Sequence, residues 1–335
     1  MTDASLALLS VVVIGRNEGE RLTRCLQSVR AMADIGGPVE LIYVDSASTD
    51  DSVARAEAQG ARVIAVKPER PSAALGRNAG WRDATGTYVL FLDGDTVLDP
   101  AFPSAALAEF ADPKVAVVWG HRREIHPDQS LYNRALDLDW IYPPGLSDFC
   151  GGDAVMRRDV LVQVNGFDAT LIAGEEPELC QRMRAEGFAI LHIDRPMTGH
   201  DLAMTRWTQY WKRAARAGHA YAEVSERLRN GPFPLWRAES RGNMRRAGVL
   251  LGALVAGSAA AVLSQSVWPL VALVAFYAAL VVRTAWKARW KSGDRFTLLL
   301  YGLHSQFQHI PIFLGQTGYW WNRWRGRQKG LIEYK

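Results

Sequence analysis

Cysteine is nearly missing from this sequence: only Cys25, Cys150 and Cys180 occur in 335 residues. They are odd in number and lack metal-ligand spacing, which excludes a disulfide-framed secreted domain and a cysteine-built zinc site and predicts a reducing, cytosolic compartment. An export signal is not expected either. The apolar run over residues 6–14 is preceded by Asp3 and no basic residue, and no small-residue cleavage site follows, so it reads as a strand. Acidic side chains are scarce in the second part of the chain. Residues 206–335 carry 5 Asp and Glu against 20 Lys and Arg, whereas residues 1–205 carry 30 against 19. A basic, tryptophan-rich second part predicts an anionic partner for that part alone, either nucleic acid or membrane lipid. Between residues 247 and 282 charge of either sign is missing altogether.

What the first part does contain is alternation. Residues 8–14 are branched and apolar, Gly15-Arg16-Asn17-Glu18 breaks the run, and residues 20–28 turn helical with Leu22, Cys25, Leu26 and Val29 on one face. A second strand over 40–44 ends at Asp45, and a helix over 51–60 closes at Gly60. A strand over 61–66, a helix over 71–84 and an apolar run over 88–92 follow. Strands and helices alternating across short connections predict a parallel sheet covered on both faces. Such sheets bind ligands beyond the carboxyl ends of their strands, and that edge collects Glu18, Asp45, Arg77, Asp93 and Asp95. The glycine of Asp93-Gly94-Asp95 lets both carboxylates serve one hard cation, magnesium or manganese, that holds a diphosphate. The same dipeptide also closes turns, and alone the stretch allows either reading.

Four segments in order, VVVIGRNEGERLTRCLQSV, LIYVDSASTDDS, GRNAG and YVLFLDGDTVLDP, resemble the successive signatures of the family 2 glycosyltransferases. These are inverting enzymes with the GT-A nucleotide-sugar fold, and the similarity runs over residues 10–202. The resemblance implies that Asp45 and Glu18 face the base, Arg77 approaches the ribose and phosphates, and Asp93 with Asp95 holds the nucleotide and its metal. Ser46 stands where many relatives have a second acidic residue, which leaves the base open. Without the resemblance, Asp45 is a loop cap and Arg77 a solvated helix residue.

Further on, a helix over 102–110 and a strand over 115–119 precede the polar segment 120–124. Gly151, Gly152 and Asp153 loosely match the family's segment lining the donor-sugar and acceptor pocket, although glycine there also suits a plain turn. In Gly174-Glu175-Glu176-Pro177-Glu178, Pro177 and the acidic residues suit a first helical turn. The family carries its general base here on the second acidic residue, which matches Glu176, with Glu175 and Glu178 completing the candidate catalytic set. Inverting transfer is an in-line displacement in which such a carboxylate takes the acceptor's proton. His200, after a predicted edge strand over 189–193, stands either as a structural histidine or, as in related enzymes, as a further metal ligand beside the acidic pair. Arg206-Trp207 resembles the QxxRW element of processive synthases, but Ala203 occupies the glutamine position.

A single helix over the uncharged run would be about 54 Å long, against about 30 Å of bilayer hydrocarbon. Ser264-Gln265-Ser266 and Pro269 split it into spans over 247–263 and 267–282, the alternative being a buried soluble hairpin. Basic residues flank both outer ends, Arg241, Arg245 and Arg246 on one side and Arg283, Lys287, Arg289, Lys291 and Arg295 on the other. Both ends therefore face the cytosol. Residues 207–228, the periodic apolar positions from Leu299 to Leu314 with an interruption at Pro311, and the cluster Trp320, Trp321, Trp324, Arg323, Arg325, Arg327 and Lys329 read as interfacial.

The whole predicts an α/β GT-A catalytic domain over 1–205, an amphipathic linker over 206–246, a two-span transmembrane hairpin over 247–283 and a basic, aromatic tail over 284–335. The expected function is metal-dependent inverting transfer from a nucleotide-sugar donor to a lipid-linked or membrane-proximal saccharide, at the cytosolic face of the cytoplasmic membrane. Membrane lipids are expected as partners and nucleic acid is not. The alternatives are a processive polysaccharide synthase and a non-catalytic nucleotide-sugar-binding membrane protein.

Overall fold

A computed structural model describes residues 8–67 and 69–326. In chain order the elements are β1 (Leu9–Gly15), α1 (Glu20–Arg30), β2 (Val39–Asp45), α2 (Ser52–Ala58), β3 (Arg62–Ala65), α3 (Ala73–Asp83), β4 (Tyr88–Asp93), β5 (Thr96–Leu98), α4 (Phe102–Glu109), β6 (Val115–Glu124) and α5 (Leu131–Asp137). These are followed by β7 (Gly145–Ser147), β8 (Ala154–Arg157), α6 (Arg158–Gln163), α7 (Glu175–Ala185), β9 (Ala189–His200), α8 (Trp207–Arg227), α9 (Arg237–Ser264), α10 (Trp268–Lys287), α11 (Arg295–Phe307) and α12 (His309–Trp324).

The chain divides into two compact units. The first comprises Met1–Ile125, Trp140–Leu202 and Asn230–Leu235. It holds one mixed sheet in the order β3-β2-β1-β4-β8-β6-β9-β5, with β7 paired to β9. From β3 to β4 the strands are parallel, as their unbroken apolar runs predict, because both faces of β1 and β4 are covered and no polar side is needed. Register sets the site. Ile14 lies opposite Asp93 and Gly15 opposite Asp45, which brings the acidic ends of β2 and β4 to one edge. Helix α3 starts at the Ser72 cap and presses close on β1 and β2: a Cβ on Gly80 would overlap the Val12 side chain. That close approach brings Arg77, between the two helix glycines Gly76 and Gly80, up to the same edge.

Two strands are longer than their apolar cores. β6 continues through the polar residues 120–124, and β9 runs twelve residues to His200. Neither β9 nor its end is as expected, since β9 lies inside the sheet between β6 and β5, and His200 closes the strand. The two strands pair in parallel through register shifts, with Arg122 opposite Thr198 and Glu124 opposite His200. Such irregular ladders re-aim side chains at a sheet end.

The second unit comprises His126–Asp139, Ala203–Arg229 and Trp236–Lys335. Helices α9 and α10 are long and apolar enough to cross a membrane, by length and composition, and only 11% and 6% of their most apolar windows are buried. Gln265 in a left-handed conformation and Pro269 in the first turn of α10 form the expected break. Helix α8, expected at a lipid surface, buries Tyr210, Ala214 and Gly218. A Cβ on Gly315 of α12 would overlap the Ala215 carbonyl, so these two helices meet backbone to backbone. The later break falls at Gln308. Pro311 sits in the first turn of α12, where a missing N–H costs no hydrogen bond. Trp320, Trp321 and Trp324 are exposed; Arg327 and Lys329 lie outside the described residues.

Candidate active site

The carboxyl edge is built first from two cross-linked loops. Asn17 and Ala47 adopt left-handed backbone conformations. The Asn17 N–H donates to Ser48 Oγ at 2.9 Å, and Thr49 N–H donates to Asn17 Oδ1 at 2.7 Å. Asp45 is buried, accepting from Ser48 N–H at 2.9 Å and from the Tyr43 hydroxyl at 3.0 Å. Burial, then Asp45, holds the Tyr43 phenol protonated far above its usual range. Glu18 pairs with Arg21 at 2.8 Å and packs against Gly94, where a Cβ would lie 3.1 Å from Glu18 Cγ and 3.2 Å from the Ile14 carbonyl. Close approach of β1 and Glu18 leaves little room for a side chain between the two aspartates.

At the centre stands Arg77, 2% exposed. Its Nη2 meets Asp93 Oδ1 at 2.9 Å, and its Nη1 meets Glu175 Oε1 at 3.1 Å and Glu176 Oε1 at 2.7 Å. One guanidinium from α3 thus joins the end of β4 to the start of α7. Burial opposes its charge, but Glu176, Asp93 and Glu175 more than offset that, so its pKa rises. The Glu176 carboxyl is pushed up to about 7, by burial first and then by neighbouring Glu175, with Arg77 opposing. Gly152 faces this cluster: a Cβ there would lie 2.5 Å from Arg77 Nη2 and 3.0 Å from Asp93 Oδ2. Gly151 has open space beside it.

Two expected residues are placed otherwise. Asp153 is fully buried beneath the cluster, accepting from Asp93 N–H at 3.0 Å and from Thr198 Oγ1 at 2.8 Å. Burial raises its pKa, Arg122 opposes, and Asp93 adds to the rise. Glu178 turns to Arg182 at 2.8 Å, and that arginine also donates to the carbonyls of Val164 and Gly166. Glu178 braces the loop before α7 and is not brought to Arg77.

Beside Asp93, the chain turns Asp95 toward His200, with Asp95 Oδ2 3.4 Å from His200 Nε2. Glu124 Oε2 lies 3.9 Å from His200 Nδ1 and accepts from Leu202 N–H at 3.1 Å. Trp140 covers this pair, edge-on to His200 at 5.0 Å and beneath the Arg122 guanidinium at 5.2 Å. Arg122 also reaches Asp93 at 3.5 Å and Asp153 at 3.7 Å. Among the described residues no three His, Cys, Asp or Glu side chains already cluster as a metal cage. The donors themselves, carboxylate oxygens with one imidazole, are of the kind magnesium or manganese accepts, and so they fit such an ion. Arg122, Glu124, Trp140 and Thr198 are site residues that the sequence left unassigned. Their one signal was the alternation of Arg122 and Glu124 past the apolar part of β6.

Comparison with known proteins agrees with this architecture. Residues 10–164 match the family described as Glycosyl transferase family 2. The chain is 25% identical over 244 residues to the pre-mycofactocin glycosyltransferase of Mycobacterium tuberculosis, covering 68% of this chain and 49% of that protein. It is 25% identical over 177 residues to the cellulose synthase 1 catalytic subunit of Komagataeibacter xylinus, covering 48% and 23%. The chain thus spans half or less of these curated relatives. A solved mannosyltransferase from Pyrobaculum calidifontis, in complex with GDP-Man and Mn2+, superposes with a TM-score of 0.67 at 19% identity, covering 96% of this chain and 89% of that one. The fold is the GT-A type, and residues 10–164 carry the match to glycosyl transferase family 2.

Proposed function

We propose that this protein is a metal-dependent inverting glycosyltransferase that moves a sugar from a nucleotide diphosphate to a lipid-linked or membrane-proximal saccharide. In this reading the membrane is the cytoplasmic one, crossed by α9 and α10, with the catalytic domain on its cytosolic side. The observation that carries it is the single guanidinium of Arg77 held between Asp93 at the end of β4 and Glu175 and Glu176 at the start of α7.

Glu176 is the base. As the acceptor oxygen attacks the anomeric carbon, Glu176 takes the hydroxyl proton, the bond from that carbon to the diphosphate oxygen breaks, and the nucleoside diphosphate leaves with the electron pair. Arg77 receives charge developing on the leaving group, a role in which positioned charge is usually the largest catalytic contribution. A diphosphate also competes with Glu176 for Arg77, which frees the base when donor is present. Asp45 and Glu18 bound the nucleotide end, and Gly152 keeps room beside Arg77. Asp93, Asp95 and His200 would hold a magnesium or manganese ion, which when bound neutralises the diphosphate.

The test is release of nucleoside diphosphate by detergent-purified protein given a donor panel, manganese and membrane lipids; the Pyrobaculum neighbour makes GDP-mannose a natural member of that panel. Binding of a donor without release from any member of the panel would favour the non-catalytic alternative. More than one sugar added per acceptor encounter would favour the processive one, against which Ala203 stands.

Two further results are expected. Because Glu176 must be ionised to act and its pKa is about 7, kcat/KM should fall about tenfold per pH unit below 7 and level off above it, read from a pH–rate profile at subsaturating donor. Gly152→Ala should lower kcat/KM for the donor about tenfold or more, since overpacking of about 1–3 kcal/mol has to be met by displacing Arg77. Kinetics with donor varied, together with a melting curve to show that the fold is kept, check this.

A further inference from the structure

We infer that the helical unit carries a second ligand site: a cavity at the basic ends of α9 and α10, closed by the α11–α12 turn, that binds the phosphate-bearing headgroup of an anionic lipid. This rests on the reading of α9 and α10 as membrane spans. The cavity has a volume of about 530 Å³. Arg245 and Arg246 enter it from α9, and Arg283 and Lys287 from α10. The Tyr277 hydroxyl donates to the Leu250 carbonyl at 2.6 Å, a bond that ties the two helices together beside the cavity. The rest of the wall includes the apolar Val249, Leu250, Phe276 and Leu280.

Several of the acidic residues described in this unit are engaged elsewhere. Glu223 pairs with His219 and Arg227, Glu226 with Arg229 and Arg323, and Asp139 with His304. Asp294 caps α11. None of them lines the cavity. From the α12 side comes His309, 8% exposed, whose Nδ1 has no hydrogen-bond partner among the described residues. Its pKa is lowered to about 4, by burial first and then by the positive field of Arg246 and His304, so the imidazole is neutral and free to share a proton with a phosphate oxygen. Four cations in a cavity that no described carboxylate lines, with an imidazole nitrogen that lacks a partner among the described residues and an apolar wall beside them, match a phosphate with an acyl chain attached. Basic pockets between membrane helices take lipid headgroups in this way, each cation adding to the affinity. Inorganic phosphate would satisfy the basic part of the cavity only.

The test uses the full chain in an uncharged detergent, with the thermal midpoint read against added phosphatidylglycerol, phosphatidylcholine or inorganic phosphate. Phosphatidylglycerol should raise the midpoint more than the other two at equal concentration. Arg246→Gln/Arg283→Gln should need about tenfold more phosphatidylglycerol or beyond for the same shift, whereas Arg241→Gln/Arg295→Gln, equal in charge but outside the cavity, should stay within about twofold of wild type. If the first pair melts early without lipid, Lys287→Gln serves for the same comparison. Equal losses in both pairs, no shift in the wild type, or an equal shift with inorganic phosphate overturns the proposal. Nucleoside diphosphate release from the same preparations separates the two readings: release that persists without any lipid shift rejects the cavity and leaves the transferase standing.

Discussion

Glu176→Gln is expected to lower turnover about 10²- to 10⁴-fold, the usual contribution of one positioned general base. Donor binding should persist, because Arg77 keeps Asp93 and Glu175 and the amide oxygen can still accept from the guanidinium. Stability gives a readout that a merely structural role would not. The Glu176 pKa rises from the carboxylate range to about 7 on folding, so the folded state binds this proton more tightly than the unfolded chain. By linkage the group's contribution to stability is full below its unfolded pKa and is lost as pH rises to about 7. At pH 8 the wild type carries an ionised carboxylate beside Glu175 that the glutamine variant lacks. The variant should therefore melt at the same temperature as wild type or higher at pH 8, while being nearly inactive. Wild-type turnover in this variant would remove the base assignment, and a lower melting temperature at pH 8 would recast Glu176 as a structural partner of Arg77.

The second large effect is expected on stability. Arg77→Met leaves Asp93, Glu175 and Glu176 without the cation that joins them, and removal of one partner from a buried ionic cluster costs about 3–5 kcal/mol. Arg122, 3.5 Å from Asp93, remains beside that carboxylate. The thermal midpoint should drop markedly at pH 8 and recover in part toward pH 6, as protonation of Glu176 removes one charge from the unpaired set. Arg77→Lys should restore little, since one ammonium cannot span the two faces that the planar guanidinium serves. A midpoint unchanged in Arg77→Met would show that the carboxylates are held by something else, and the arrangement at the heart of the proposed site would need rebuilding.

Both predictions rest on residues picked out from local pattern. The apolar runs of β1, β2 and β4 were legible because strands buried on both faces need unbroken hydrophobic sequence, and each run ends where polar residues begin. Asp45 and Asp93 are therefore placed at a strand end by sequence alone. Arg77 and Glu176 were legible through short motifs, each contained within one turn of helix. Arg122, Glu124 and Thr198 are different. The polar half of β6 looks like a loop, and only its pairing with β9, more than 70 residues away, keeps it extended. Glu178 shows the converse: its motif position resembles that of a catalytic residue, but the helical spacing of four to Arg182 turns it away.

The sequence by itself determined the order of strands and helices as far as β4, the acidic carboxyl edge, the two long apolar helices and the basic ends beside them, because each is written in the spacing of neighbouring residues. Only the tertiary structure decided which charges meet. That Arg77 holds three carboxylates, that Asp153 lies beneath Asp93 as a support, and that four cations share one cavity follow from contacts between segments far apart in the chain. Close approach at Gly80 and Gly94, strand register and helix packing fix those distances, and no local pattern encodes them.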